Sequence, residues 1–294
     1  MPSHELLAQA DSLRARRSPF VLATVVRVQR PTSAKPGDCA LVLPDGTIEG
    51  FVGGSCAEST VRTEGIRLLG TGEATLLRIT PDVAGTGTIE EGVVTVGNPC
   101  LSGGTLEIFL EAQLPPTLVV VFGDAPVARA LISVGRAIGY DVRVLDSPAA
   151  LPADADAVLV ASHGRDEEDV LQEAIAADVG YIGLIASSRR GSAVVRTLGE
   201  RSELVHTPAG LDIGARTPAE IAVSVYAELI TCRPRARLRD QPAPAEAPDP
   251  VCGMTVTVVG DSLQLPYEGK RYYFCGPGCR QAFADEPSRY VADA

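Results

Sequence analysis

The sequence contains no tryptophan, only 4% aromatic residues and three histidines in 294 residues, and it has no excess of basic charge. Lysine and arginine together number 26 against 37 acidic residues, a formal net charge of −11. Without a basic face to neutralise phosphates, nucleic acid is excluded as the main partner. Backbone amides can still hold small anions, so the charge leaves anionic cofactors open. No apolar run approaches the ~20 residues that span a bilayer, so no integral membrane segment is expected. The first residues lack the pattern of a secretory signal. Seven cysteines, an odd number, fit a reducing cytoplasm better than a disulfide framework. A cytoplasmic location is the expectation. No internal repeat is evident.

What is present is apolar enough, at 45% hydrophobic residues, for two or three domains. Pro115-Pro116 divides the chain. Ahead of it the patterning predicts a helix from Glu5 to Arg16, a strand over 20–28 and a hairpin over 40–52 turning at PDG. A helix from about Ala57 to Leu69 and strands near 74–79, 92–96 and 105–111 follow. Beyond it, apolar strands at 117–123, 141–146, 156–162 and 181–187 alternate with helices at 126–138, 166–177 and 189–198. A last helix opens on the capping box TPAE (217–220). This alternation predicts a parallel sheet wrapped by helices. The run 233–248, rich in proline, alanine and charge, reads as a linker. Scarce elsewhere, aromatics crowd the end of the chain at Tyr267, Tyr272, Tyr273, Phe274, Phe283 and Tyr290, which marks a separate module. The expected divisions are 1–114, 115–232, the linker 233–248, and 249–294. The class is α/β: a mixed α+β N-terminal domain, a Rossmann-like parallel-sheet domain and a small cysteine-rich module.

Six of the cysteines stand close to glycine, in turn-like stretches where a thiol is accessible to metal or sulfur chemistry. Gly53-Gly54-Ser55-Cys56 lies between a strand and a helix, so its amides form an anion cradle with a thiol inside it. A second glycine-rich turn carries Cys100 with Gly103 and Gly104. In the Rossmann-like domain, VVVFG (119–123) enters a helix and Asp146 stands where an acidic residue would hold a ribose. The turn itself, Gly123-Asp124-Ala125, has alanine where a second glycine should admit a pyrophosphate, so NAD(P) is not expected. Better ligand loops end the next strands. One carries His163 and Arg165, the other Ser187, Ser188, Arg189 and Arg190, with arginine suited to bidentate phosphate contacts. A helix-capping role for His163 and a solvated face for the arginines are the competing readings.

The runs RPTSAKPGDCALVLPDGTIEGFVGGSCAEST (30–60) and NPCLSGGTLEIFLEA (98–112) closely resemble the N-terminal half of the xanthine dehydrogenase accessory factor family, XdhC/CoxI-like. YIGLIASSRRGSAVVRTLGE (181–200) and GLDIGARTPAEIAVSVYAELI (210–230) resemble its Rossmann half. The resemblance covers residues 1–232. It implies a maturation protein for molybdenum hydroxylases of the xanthine or carbon monoxide dehydrogenase type, a cofactor chaperone rather than a catalyst. The implied ligand is the molybdenum cofactor, as molybdopterin or its cytosine dinucleotide form. The implied partners are an apo-hydroxylase client and a sulfurtransferase such as a cysteine desulfurase, with a homodimer as a further expectation. Gly53, Gly54 and Cys56 match the family's glycine-rich cysteine loop, and Cys100, Gly103 and Gly104 its second. The family's GAGHVA turn reads GDAPVA here, and Cys39 has no counterpart in the family pattern.

DPVCGM (249–254) and YEGKRYYFCGPGC (267–279), followed by Phe283, Pro287 and Tyr290, closely resemble a YHS domain, which implies metal binding. A module this small gains from a metal staple. Cys252, Cys275 and Cys279 would give three thiolates, suited to Cu(I), or to Zn with a fourth ligand. The histidine usual in such domains is missing, and no histidine follows His206, so a fourth ligand would have to be Asp261, a backbone atom, water or a partner's group. Two other functions stay open: a NAD(P)-dependent Rossmann oxidoreductase with His163 as acid/base, and a copper- or thiol-binding protein.

Overall fold

The computed structural model describes residues 4–81, 89–97, 104–232 and 244–291. The chain forms two compact units, one from residues 1–115 with 242–294 and the other from 116–241. Among the described residues, no helix is long and apolar enough to cross a membrane.

The first unit begins with helix α1 (His4–Ala15), strands β1 (Phe20–Gln29), β2 (Cys39–Val42) and β3 (Ile48–Gly50), and helix α2 (Ser55–Thr71). Strands β4 (Ala74–Thr80), β5 (Ile89–Glu90), β6 (Val93–Gly97) and β7 (Thr105–Gln113) complete a seven-stranded sheet in the order β3-β2-β1-β7-β4-β6-β5. Every pairing is antiparallel except β4 with β6. Alternation along β1 decides what covers each face. Val21, Ala23 and Val25 pack with Ala57, Val61 and Leu68 of α2, whereas Phe20 packs with Leu6, Ala10 and Leu13 of α1. The two helices therefore cover opposite faces. Full burial of a side chain such as Leu68 contributes about 1.5–3 kcal/mol. On β7 the buried Glu107 accepts from Arg27 at 2.8 Å and Arg78 at 3.0 Å, one from each flanking strand.

The C-terminal segment of the same unit consists of β13 (Glu246–Pro248) paired with β14 (Thr255–Thr257), the hairpin β15 (Leu263–Tyr267) and β16 (Lys270–Phe274), and helices α7 (Pro277–Asp285) and α8 (Pro287–Val291). Its small core is aromatic. The ring of Phe283, fully buried, lies 4.9 Å from that of Tyr272, 5.3 Å from Phe274, 5.9 Å from Tyr267 and 6.2 Å from Tyr290. Composition set this segment apart; the structure packs it onto α2. Thr63 and Thr257 share a hydroxyl hydrogen bond of 2.8 Å, and Arg62 pairs with Asp261 at 3.5 Å.

The second unit carries β8 (Leu118–Phe122), α3 (Pro126–Ala137), β9 (Asp141–Leu145), β10 (Ala157–Val160), α4 (Glu167–Ala176), β11 (Tyr181–Leu184), α5 (Ser188–Thr197), β12 (Val205–His206) and α6 (Pro218–Cys232). The expected parallel sheet is there, in the order β12-β11-β10-β8-β9 with every pair parallel. Strand residues Val120, Val158 and Ile182 pack against α4, while Val119, Val121 and Leu159 pack against α3 and α6. Counted in chain order the strands run 2-1-3-4-5, which puts the topological switch point between β8 and β10. The TPAE capping box forms: Glu220 N donates to Thr217 Oγ1 at 3.3 Å and Thr217 N to Glu220 Oε2 at 2.9 Å. Glu228 on α6 ties down the far edge, accepting from Tyr181 Oη at 2.6 Å and Gly210 N at 2.7 Å, with His206 Nδ1 at 3.2 Å. The two-residue strands β5 and β12 and the short α8 were not foreseen, because each is too brief to show a period.

Candidate functional site

The C-terminal cysteines converge. The Sγ atoms of Cys252 and Cys275 are 3.6 Å apart, and those of Cys275 and Cys279 are 3.7 Å apart. Asp249 joins them: its carboxylate and the three sulfurs all lie within 4.8 Å of one another. Four sulfurs held at about 2.3 Å from a tetrahedral ion would be about 3.8 Å apart. The two sulfur separations are close to that spacing, and thiolates are the donors a soft cation takes.

Local structure explains the convergence. Asp249 opens a tight turn in which Val251 N donates to its Oδ1 at 2.9 Å and Gly253 N to its main-chain oxygen at 2.8 Å. Its Oδ2 accepts from Cys275 N at 2.8 Å, so one buried carboxylate fixes both the loop of Cys252 and the end of β16. Cys279 sits in the first turn of α7. The hydrogen bond from Cys275 pulls the Cys252 thiol below its ordinary range. Hydrogen bonding to Cys252 and Cys56, with burial, pushes Cys275 up. Burial, then the charge of Asp249, pushes Cys279 up. Asp261, expected as a candidate fourth ligand, is instead exposed and paired with Arg62; the carboxylate among the sulfurs is Asp249.

The glycine loop of the first sheet meets this cluster. Gly53 is buried, Gly54 is the N-cap of α2 and has no side chain of its own to cap the helix, and Ser55 and Cys56 form its first turn. Among the described residues a Cβ at Gly54 would meet nothing within 4 Å, whereas one at Gly53 would stand 3.2 Å from Leu106 at the start of β7. Gly104, two residues before, lies so close to the main chain of Pro31 that it has no room for a side chain. Cys100 and Gly103 lie outside the described residues. Cys56, like Cys252 and Cys279, packs against the small core of Met254, Val256 and Cys275. It is in hydrogen-bond contact with Cys275. A Cβ added to Gly276 would stand 2.8 Å from the Cys56 sulfur, so glycine at 276 is what allows the approach. Cys39 stays apart, buried between α1 and the sheet and donating to Gly37 O at 3.4 Å.

In the second unit, parallel strands bring Asp124, Asp146, His163, Arg165 and the Ser187–Arg190 run to one edge, at the carboxyl ends of β8 to β11. The charges there are largely matched among themselves. Arg165 pairs with Asp124 at 2.5 Å, across the switch point. Arg190 pairs with the buried Glu167 and donates to Ile185 O at 2.9 Å. Glu167 also accepts from Gly164 N at 2.8 Å and Ser162 Oγ at 3.3 Å, so it clamps the loop of His163. Ser187 caps α5, accepting from Arg190 N at 3.4 Å, and Ser188 and Arg189 are exposed beside it. His163 is exposed with φ +56°. Gly123, at φ +116°, presses on the end of β10: a Cβ there would be 2.3 Å from Ala161 O. Its lack of a side chain serves strand packing, and Asp124 follows where a phosphate would need amides.

Three family models match the chain: the XdhC and CoxI family over residues 13–80, the XdhC Rossmann domain over 119–229 and the YHS domain over 247–294. The chain therefore carries an XdhC and CoxI type segment, an XdhC Rossmann domain and a YHS domain. Among its relatives, this XdhC-type chain is 26% identical over 264 residues to the uncharacterized protein YqeB of Escherichia coli (strain K12), covering 79% of this chain and 47% of YqeB. It is 26% identical over 264 residues to the molybdenum cofactor insertion chaperone PaoD of the same organism, covering 72% of this chain and 83% of PaoD. It is 27% identical over 158 residues to a probable xanthine dehydrogenase component of Bacillus subtilis (strain 168), covering 45% of this chain and 47% of that protein. The XdhC-type chain thus spans about half the length of two of these three relatives.

Sequence reasoning missed Asp249 and Glu167. The Asp-Pro opening DPVCGM was a usable signal, because aspartate before such a turn accepts from the backbone two residues on. Glu167 gave none, since an acidic residue in the first turn of a helix ordinarily faces solvent.

Proposed function

We propose that this protein takes part in the maturation of a molybdenum hydroxylase, holding the molybdenum cofactor and assisting its sulfuration or insertion into the apo-enzyme. The observation that carries the reading is the similarity to PaoD along 83% of that chaperone's length. The geometry is compatible with it. The N-cap of α2 is Gly54, which has no side chain of its own to cap the helix, and Cys56 offers a soft ligand in the first turn. Such a terminus attracts an anionic phosphate while the thiol faces the metal. The YHS module, on this reading, holds Cu(I) or Zn through Cys252, Cys275 and Cys279. A nicotinamide-dependent reaction is the weaker reading, because Asp124 and Gly123 occupy the switch point in ways that disfavour a pyrophosphate.

The test is purification of the full chain from a host that makes the cofactor, with molybdenum and oxidised-pterin fluorescence measured together. Both should co-purify with the parent and fall to background in Cys56→Ala. Absence of pterin from the parent, or equal content in the variant, sinks the cofactor reading or the role of Cys56 respectively.

A further inference from the structure

The three YHS cysteines leave a soft cation one donor short of a tetrahedron. Asp249 is the nearest candidate, but each of its carboxylate oxygens already accepts a backbone N–H, at 2.9 Å from Val251 and 2.8 Å from Cys275. Drawing an oxygen to a metal would loosen the loops that deliver Cys252 and Cys275. A carboxylate is also the harder donor, and soft cations favour thiolate. Among the described residues a further thiol borders the cluster: Cys56, half-buried, packed against the core of Met254, Val256 and Cys275 and in contact with Cys275.

We propose that Cys56 is the fourth sulfur ligand of this site, so that Cu(I) or Zn is held jointly by the first turn of α2 and the YHS module. The inference rests on the reading of Cys252, Cys275 and Cys279 as a soft-metal site. Two features favour it. Cys56 and Cys279 stand in the first turns of α2 and α7, whose N-terminal ends both offer partial positive charge to a cluster of thiolates. Gly276 keeps the path between Cys56 and the module free of a side chain. The consequence is exclusion. While the cation is bound, Cys56 is withdrawn from the cradle at Gly53–Ser55, and any ligand of that cradle that needs the thiol must displace it from the metal. Metal occupancy would then govern the affinity of the first domain for its own ligand.

The experiment uses the full chain, freed of metal and reduced, then loaded with Zn or Cu(I). X-ray absorption at the metal edge counts sulfur neighbours, and alkylation mapped by mass spectrometry follows each cysteine. Loaded parent protein should show four sulfurs, and Cys56 should be protected together with Cys252, Cys275 and Cys279. Cys56→Ser should bind metal with three sulfurs and one lighter neighbour. If metal binds with Cys56 still alkylated at its metal-free rate, or if Cys56→Ser keeps the parent's sulfur count, the inference is overturned while the three-cysteine site stands. If no metal binds, both fail together. The alkylation arm needs no variant, so a folding defect in Cys56→Ser does not decide the outcome.

Discussion

The sulfur cluster and the charged edge of the parallel sheet were both candidate sites, yet they differ in how much of their chemistry is already in use. At the sheet edge, Arg165 and Arg190 meet Asp124 and Glu167, and the polar groups of the His163 loop bond to one another. In the cluster, three thiols and a carboxylate, all electron-pair donors, are brought within 4.8 Å of one another. Self-satisfied charges hold a fold together; convergent donors of one kind prepare a site for something else.

The contrast can be broken most forcefully at Arg190. Removing it strands a fully buried carboxylate, and Arg190→Ala should cost about 3–4 kcal/mol, the lower part of the range for a buried pair because the guanidinium is one-third exposed. Chemical denaturation of the full chain reads this, and Arg190→Ala with Glu167→Leu should recover part of the loss. A large defect in phosphate-ligand binding without loss of stability would instead return Arg190 to the functional set. Next in size is Asp249→Ala, which leaves the N–H groups of Val251 and Cys275 without their acceptor, for about 2–3 kcal/mol. Alkylation of Cys252 and Cys275 should quicken in that variant, and unchanged rates would remove Asp249 as the organiser of the cluster. Smallest is the exposed pair at the switch point, where Arg165→Ala should shift stability by less than about 1 kcal/mol.

Acid sharpens the same comparison at the far edge of the sheet. Burial pushes Glu228 up, but hydrogen bonds from Tyr181, Gly210 and His206 outweigh it and hold the carboxyl below its ordinary 4.5. A depressed carboxylate contributes stability above its unfolded value and loses it as pH falls through the folded one. The stability difference between the parent and Glu228→Gln should therefore shrink below about pH 4.5, as read by urea titration at successive pH values. A difference independent of pH would mean that the carboxylate's charge is not what the three donors stabilise.

Much of this was legible in the chain because it is local. Alternating apolar strands and amphipathic helices pointed to the parallel sheet, and the YYFC string with its tail marked the aromatic module. Cysteine spacing brought out Cys252, Cys275 and Cys279 because two of them share one turn. Asp249 was hidden because its partner amide at Cys275 comes from the far side of a hairpin. Arg190 looked like a ligand because loop position was visible and Glu167, on another helix, was not. The meeting of Cys56 with the module was hidden most deeply, since it depends on packing between segments separated by an entire folded unit.

That separation has a consequence for synthesis. Residues 1–115 leave the ribosome first, but the segment that covers α2 and borders Cys56 follows only after 116–241. At roughly 5–20 residues per second, the 194 positions from Thr63 to Thr257 leave the helix surface around Arg62 and Thr63 uncovered for roughly 10–40 seconds. During that interval the Cys56 thiol faces the cell without its three neighbours, a nascent chain presenting its glycine loop before the partner segment exists to close over it.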